Sequence, residues 1–165
     1  MKIQVIKINN MPVHVTNQII KKEWTDYNKH LNMAYYVLIF DKSWEVILEK
    51  FKMGEHSAKT TMKSTMVVET HTTYNNEVKA DDEVEIVLTF FDHDKKRLHF
   101  RLEMIEKISK KLSATIEMIA LYIDLNKRKV TEFEEEKVKI MDEFINANKS
   151  KFNDNNLVIL EKLKK

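Results

Sequence analysis

Every second residue between positions 97 and 105 is apolar: Leu98, Phe100, Leu102 and Met104 alternate with Arg97, His99, Arg101 and Glu103. A two-residue period places one set on each face of a β-strand. Residues 84–91 repeat the pattern, with Val84, Ile86, Leu88 and Phe90 against Glu85, Val87, Thr89 and Phe91. Residues 112–124 set Leu112, Ala114, Ile116, Met118, Ala120 and Tyr122 against a face that begins Ser113, Thr115, Glu117 and ends in Ile119, Leu121 and Ile123. Residues 66–74 set Met66, Val68, Thr70, Thr72 and Tyr74 against Val67, Glu69, His71 and Thr73. The connectors 75–83, 92–96 and 106–111 are shorter than a parallel crossover needs, so the four runs are expected to pair with their neighbours as an antiparallel meander. A first strand is expected over 13–24, with its alternation blurring at Lys21 and Lys22.

Residues 33–53 break this rhythm. They read as one long helix, apolar all round from 34 to 40 and striped with Asp41, Lys42, Glu45, Glu49 and Lys52 only later. A helix that begins in this way is expected to have its first turns enclosed by other structure. Gly54, the only glycine of the chain, stands where a left-handed carboxy-terminal cap is expected, and 55–64 reads as a polar connection. Thr131 to Glu134 has the form of a capping box, opening an amphipathic helix with Phe133, Ile140, Met141, Phe144 and Ile145 on one stripe. Past Asn156 the tail LVILEKLKK fits a short helix, a swapped segment or disorder. One antiparallel sheet must cover a greasy helix, and a sheet curved around it does so. The fold class is thus α+β in the hotdog arrangement: residues 1–130 form the sheet and central helix, and 131–165 a carboxy-terminal helix and tail on the same domain.

Composition narrows the function. A chain of 165 residues suits one domain, and a net charge of +2 made from 28 basic and 26 acidic residues supplies no field to gather nucleic acid or a membrane surface. No apolar run is long enough to cross a bilayer, and the amino terminus lacks the form of an export signal. A soluble, cytoplasmic protein is expected. The absence of cysteine removes thiolate nucleophiles and zinc–thiolate sites, and His14, His56, His93 and His99 show no ligand spacing, so neither metal nor cofactor is expected.

Asp26, Asn28, His30 and Asn32 place polar side chains at alternate positions leading into the central helix, where unpaired N–H groups gather. Taken alone, such residues are most often caps. The stretch DYNKHLNMAYY resembles the acyl-CoA thioesterases of the hotdog superfamily, which carry Asp-x-x-Gly-His-x-Asn-x-x-x-Tyr at the start of that helix. Asp26, His30, Asn32 and Tyr36 fall on the pattern, and Lys29 stands at its glycine. The segments AYYVLIFDK, VVETHTTY, KRLHF and YIDLNKRK look like the betainyl-CoA thioesterases of carnitine breakdown. The resemblance implies hydrolysis of a small acyl-CoA thioester, with Asp26 as general base or nucleophile. It implies that His30 orients the carboxylate or the leaving group, and that amides near Met33 hold the carbonyl oxygen. Asn32 reads as the helix cap beside them.

For the substrate the resemblance points to Tyr27, Tyr36, Trp44, Glu69, His71 and Tyr74, with Trp24 beside them, as aromatic faces and a carboxylate able to hold a quaternary ammonium. Lys95-Lys96-Arg97 or Lys110-Lys111 would meet the CoA nucleotide, or are solvated turns. A homodimer or homotetramer is implied. Two alternatives remain: a non-catalytic acyl-CoA-binding or regulatory module, and a hotdog hydratase. The latter wants a histidine five residues after the aspartate, whereas His30 follows Asp26 by four.

Overall fold

The protein is described by a computed structural model over residues 11–159. Residues 1–10, most of the stretch read as lacking an export signal, and 160–165, the basic end of the tail, lie outside the described residues. Five long strands make one antiparallel sheet: β1 (Val13–Ile19), β2 (Lys63–Tyr74), β3 (Glu83–His93), β4 (Arg97–Glu106) and β5 (Leu112–Asp124). Their order is β1-β3-β4-β5-β2, with a short β6 (Lys129–Val130) also on β5. The meander expected from the connectors holds for β3, β4 and β5, but β2 pairs with β5 at the far edge and β1 takes the place beside β3. Connector length did not forbid this. Passing from β2 to β3 across the sheet's end means crossing three strand spacings, roughly 14 Å, and the residues between Tyr74 and Glu83 span about 26 Å when extended.

The long helix α1 (Met33–Lys50) buries Tyr36, Ile39, Phe40, Ser43, Trp44, Ile47 and Leu48. This is the 3.6-residue stripe of an amphipathic helix from its first turn. Met33 and Val37, at 69% and 41% exposure, lie outside it, so the enclosure expected of the first turns is one-sided. The sheet curls around one flank of the helix and leaves the other open. Within the core Trp44 stacks on Phe100 with ring centroids 3.4 Å apart, and each large apolar side chain buried in this way contributes about 1.5–3 kcal/mol. Buried Ser43 is satisfied through Ile39 O and the Thr16 hydroxyl, both at 2.8 Å.

The end of α1 differs from expectation. Lys52 takes the left-handed conformation (φ 57°), while Gly54 (φ 98°) starts the next helix, α2 (Glu55–Thr61). A Cβ on Gly54 would lie 2.5 Å from Glu45 Oε1, and that carboxylate accepts the Glu55 N–H at 2.6 Å. Glycine is therefore required here to let Glu45 reach over and cap α2. With that cap and a Glu55–Lys59 ion pair one turn apart, the polar connection expected at 55–64 coils instead.

Beyond the sheet, α3 (Glu135–Asn148) starts later than the Thr131–Glu134 box suggested. Glu134 is its N-cap residue but makes no side-chain cap bond, because its carboxylate is held by Tyr122 Oη at 2.9 Å, Lys63 Nζ at 2.8 Å and Lys137 Nζ at 3.1 Å. Phe144 of α3 meets Phe51 and Phe91 edge-on, and Met141 is fully buried, so this helix shares the central core. The tail then crosses onto the outer face of the sheet. Asn153 N–H donates to Thr89 O at 2.9 Å. Glu117 accepts the N–H groups of Val158 and Ile159 at 2.7 and 2.9 Å while bonding His99 Nε2 at 2.7 Å.

Candidate active site

The approach to α1 is a tight loop stitched from both sides. Asp26 N–H donates to His30 O and Lys29 N–H to Asp26 O, each at 2.9 Å. Lys29 adopts φ 65°, the conformation that its glycine counterpart in the motif takes at no steric cost. Asp26 Oδ1 accepts the amides of Asn28 at 2.8 Å and His30 at 3.3 Å, which fixes the carboxylate against the turn. The loop is then laid along the 75–82 connector, where Leu31 N–H donates to Val78 O at 2.9 Å and His30 pairs with Lys79.

Asn32 is the N-cap of α1 and its Oδ1 accepts the Ala34 N–H at 3.0 Å. Tyr35 N–H returns to Asn32 O. Among the described residues the Met33 N–H has no acceptor. A cleft of about 320 Å³ opens beside it, bordered by Asp26, His30, Met33, Tyr36, Tyr74 and the Asn75–Glu77 stretch. Larger hollows lie along α3 and between α2 and α3, but neither contains Asp26.

His30 Nε2 lies 3.0 Å from Glu77 Oε2. The rings of Tyr36 and Tyr74 meet edge-on at 5.2 Å. Burial raises the Tyr36 phenol above its ordinary value; a hydrogen bond from the Val78 backbone offsets part of the rise, and Glu77 and Tyr74 add to it. Tyr36 is therefore a neutral donor in the cleft. No cluster of three or more His, Asp or Glu side chains able to hold a metal occurs among the described residues.

Of the residues singled out in the sequence, the structure brings Asp26, His30, Met33, Tyr36 and Tyr74 around one cleft, with Asn32 capping beside it. Tyr27 sits on the tip of the turn, 93% exposed. Trp44 lies in the core against Phe100 and Phe91, and Trp24 stacks on Tyr35. A bulge at Val68 re-phases β2, so Glu69 and His71 pair with Ile119 and Glu117 and share their outer face. Neither borders the Asp26 cleft. Asn75, Asn76 and Glu77 were missed, because a polar connector gives no periodic signal.

Comparison with known proteins gives the family of the chain. Residues 20–146 match the family model described as the Thioesterase-like superfamily.

The chain belongs to this superfamily.

It is 29% identical over 114 residues to the betainyl-CoA thioesterase of Pseudomonas aeruginosa, covering 69% of this chain and 72% of that one. A Staphylococcus aureus protein solved in complex with CoA superposes with a TM-score of 0.79 at 22% identity, over 91% of this chain and 93% of the other. A putative thioesterase of Pseudomonas putida gives 0.76 at 22% identity, over 90% and 96%. The hotdog fold expected from the sequence is thus the fold observed, and the thioesterase superfamily places the protein among thioester hydrolases.

Proposed function

We propose that the protein hydrolyses a small acyl-CoA thioester in the cleft at the start of α1. One observation carries this reading: Asp26, whose carboxylate is fixed by backbone amides, and Met33, whose helix-terminal N–H has no acceptor among the described residues, border the same cleft. Thioester hydrolysis needs that pair, since one group must generate or be the nucleophile and the other must meet the negative charge that develops on the carbonyl oxygen. As general base, Asp26 takes a proton from water while the hydroxyl adds to the carbonyl carbon. The oxyanion forms at Met33 N–H, and its collapse breaks the C–S bond. The departing thiolate then takes up a proton, for which His30, held by Glu77, is positioned. As nucleophile, Asp26 would instead form a mixed anhydride, expel the thiolate, and be freed by water.

The acyl group fits a quaternary ammonium chain such as the one named for the Pseudomonas relative. Tyr36 and Tyr74 supply aromatic faces and Glu77 a carboxylate, and this pairing attracts such a cation. Trp44 is too deep to contribute. Glu69 and His71, on edge strand β2, would contribute through a second copy of the chain, and a homodimer in the cytoplasm is the proposed working form.

The test is thiol release from betainyl-CoA and a series of straight-chain acyl-CoAs, with thermal shift measured alongside. Asparagine at position 26 can still accept both amides, so Asp26→Asn is expected to keep its melting temperature while losing about 10²–10⁴-fold in rate. Retention of more than about a tenth of the rate removes Asp26 from the chemistry. Faster turnover of the straight chains removes the ammonium assignment. Stabilisation by acyl-CoA without thiol release makes the protein a binding module.

A further inference from the structure

A chain of hydrogen bonds leads from the outer face of the sheet to the rim of the Asp26 cleft. Thr73 on β2 faces Thr115 on β5 across the strand pair, and their hydroxyl oxygens are 2.7 Å apart. Thr73 Oγ1 also donates to Asn75 Oδ1 at 3.1 Å. Asn75 borders the cleft together with Asp26, Met33 and Tyr36. Its backbone is pinned as well, since Asn75 N–H donates to Ser113 O at 2.8 Å.

The protons decide which end of the Asn75 amide is spent. A threonine hydroxyl has one proton, so Thr73, giving its own to Asn75 Oδ1, accepts the proton of Thr115. Thr115 is 5% exposed, and Thr73 is the partner of its hydroxyl. Turning the Asn75 amide over would put an N–H on Thr73 and leave one hydroxyl proton of the pair with no acceptor among the described residues, at a cost in stability. The relay therefore runs from Thr115 to Thr73 to Asn75 and uses the amide oxygen. The Nδ2 group at the other end keeps both its protons, with no acceptor among the described residues. Asn76, next along the rim, spends its Nδ2 on Leu112 O at 2.7 Å. Of the two side-chain amides bordering the cleft, Asn75 is the one that brings unpaired N–H groups to it.

Met33 N–H is a single donor, whereas the oxygen of a thioester carbonyl can accept more than one hydrogen bond as it becomes negative. The carboxylates of Asp26 and Glu77 only accept and cannot fill that place. Resting on the thioesterase reading above, we infer that Asn75 Nδ2 is a second donor to the thioester carbonyl oxygen beside Met33 N–H, and that Thr73 and Thr115 are positioning residues that hold the amide in its donating orientation.

The experiment compares Asn75→Ala, Thr73→Val and Thr73→Ser with the wild type. Asn75 is exposed, so its loss costs less than the roughly 10²–10³-fold of an enclosed donor, and Asn75→Ala is expected to lower kcat/KM about tenfold, mostly in kcat, at an unchanged melting temperature. Thr73→Val, which keeps the shape and loses the hydroxyl, should lower it about threefold and Thr73→Ser should not, while in the Asn75→Ala background neither should have an effect. Calorimetry gives a readout without turnover, using two inert acyl-CoA analogues: a ketone with CH2 in place of sulfur, and a thioether with CH2 in place of the carbonyl. Asn75→Ala should weaken binding of the ketone by about threefold or more and leave the thioether unchanged. Asn75→Ala within about twofold of the wild-type kcat/KM, equal weakening of both analogues, or a Thr73→Val loss that persists without Asn75 overturns the assignment. Should the wild type cleave no thioester, the catalytic reading fails by itself, while the two analogues still decide whether Asn75 meets a carbonyl. A wild type that binds neither analogue overturns both.

Discussion

Glu77 enters the site through pairing of two loops, the turn before α1 and the connector after β2, and its carboxylate lies 3.0 Å from His30 Nε2. The side chain is 66% exposed, so water screens the pair and its coupling is about 1 kcal/mol or less. Glu77→Gln should accordingly slow thiol release by no more than about fivefold. The same change made in His30→Gln should have no further effect. A double-mutant cycle checks this, and full additivity would mean that Glu77 does not act through His30. At this scale the sequence was informative where spacing alone decides position. Asp26, His30 and Tyr36 approach and enter one helix, so their closeness along the chain already brings them to one end of it. Glu77 is brought in by Leu31 bonding to Val78, a contact between distant segments that leaves no trace in either.

Among the elements, β2 carries a sequence-readable period and an unreadable interruption. Its partner register shifts at Val68, which turns Met66 rather than Val67 toward the Glu69 face. β2 also forms a sheet edge on which Met66, Val67 and Val68 are all exposed. Apolar edges of this kind invite another strand. If that strand belongs to a second copy, Val68→Lys should weaken association at least tenfold, about 1.4 kcal/mol, read as a shift toward the monomer mass in sedimentation. An unchanged mass would place the contact elsewhere. Strands β3, β4 and β5 were legible because alternation and short turns agree. Helix α2 was not, since its polar residues carry no stripe and its cap, Glu45, comes from another helix. The crossing of β2 was also hidden, as a connector of that length serves either topology.

Across the whole molecule, one carboxylate ties the sheet to the last helix. Glu134 is partly buried, which disfavours its charge, but Lys63, its own backbone amide, Tyr122 and Lys137 outweigh this and hold its carboxyl at about 2, below an ordinary value of 4.5. Burial first, and then the Glu134 acceptor and its charge, push the Tyr122 phenol far above its usual range. Because the folded form binds the Glu134 proton less readily than the unfolded chain, the stability it provides is complete above about pH 4.5 and is lost as pH falls towards 2. Glu134→Gln should lower the melting temperature at pH 7 and flatten its fall across that interval. Parallel melting curves for variant and wild type would show that the network contributes nothing.

The path of the tail could not be read in advance, and the reason lies in how it is held. Glu117 grips Val158 and Ile159 by their main-chain N–H groups, which every residue except proline possesses. These hydrogen bonds are therefore addressed by distance along the chain rather than by the letters in it. Exposed Val158 can therefore change freely, whereas Ile159 also buries its side chain, and a deletion that draws both out of reach would leave the Glu117 carboxylate with His99 alone of its three hydrogen-bond partners.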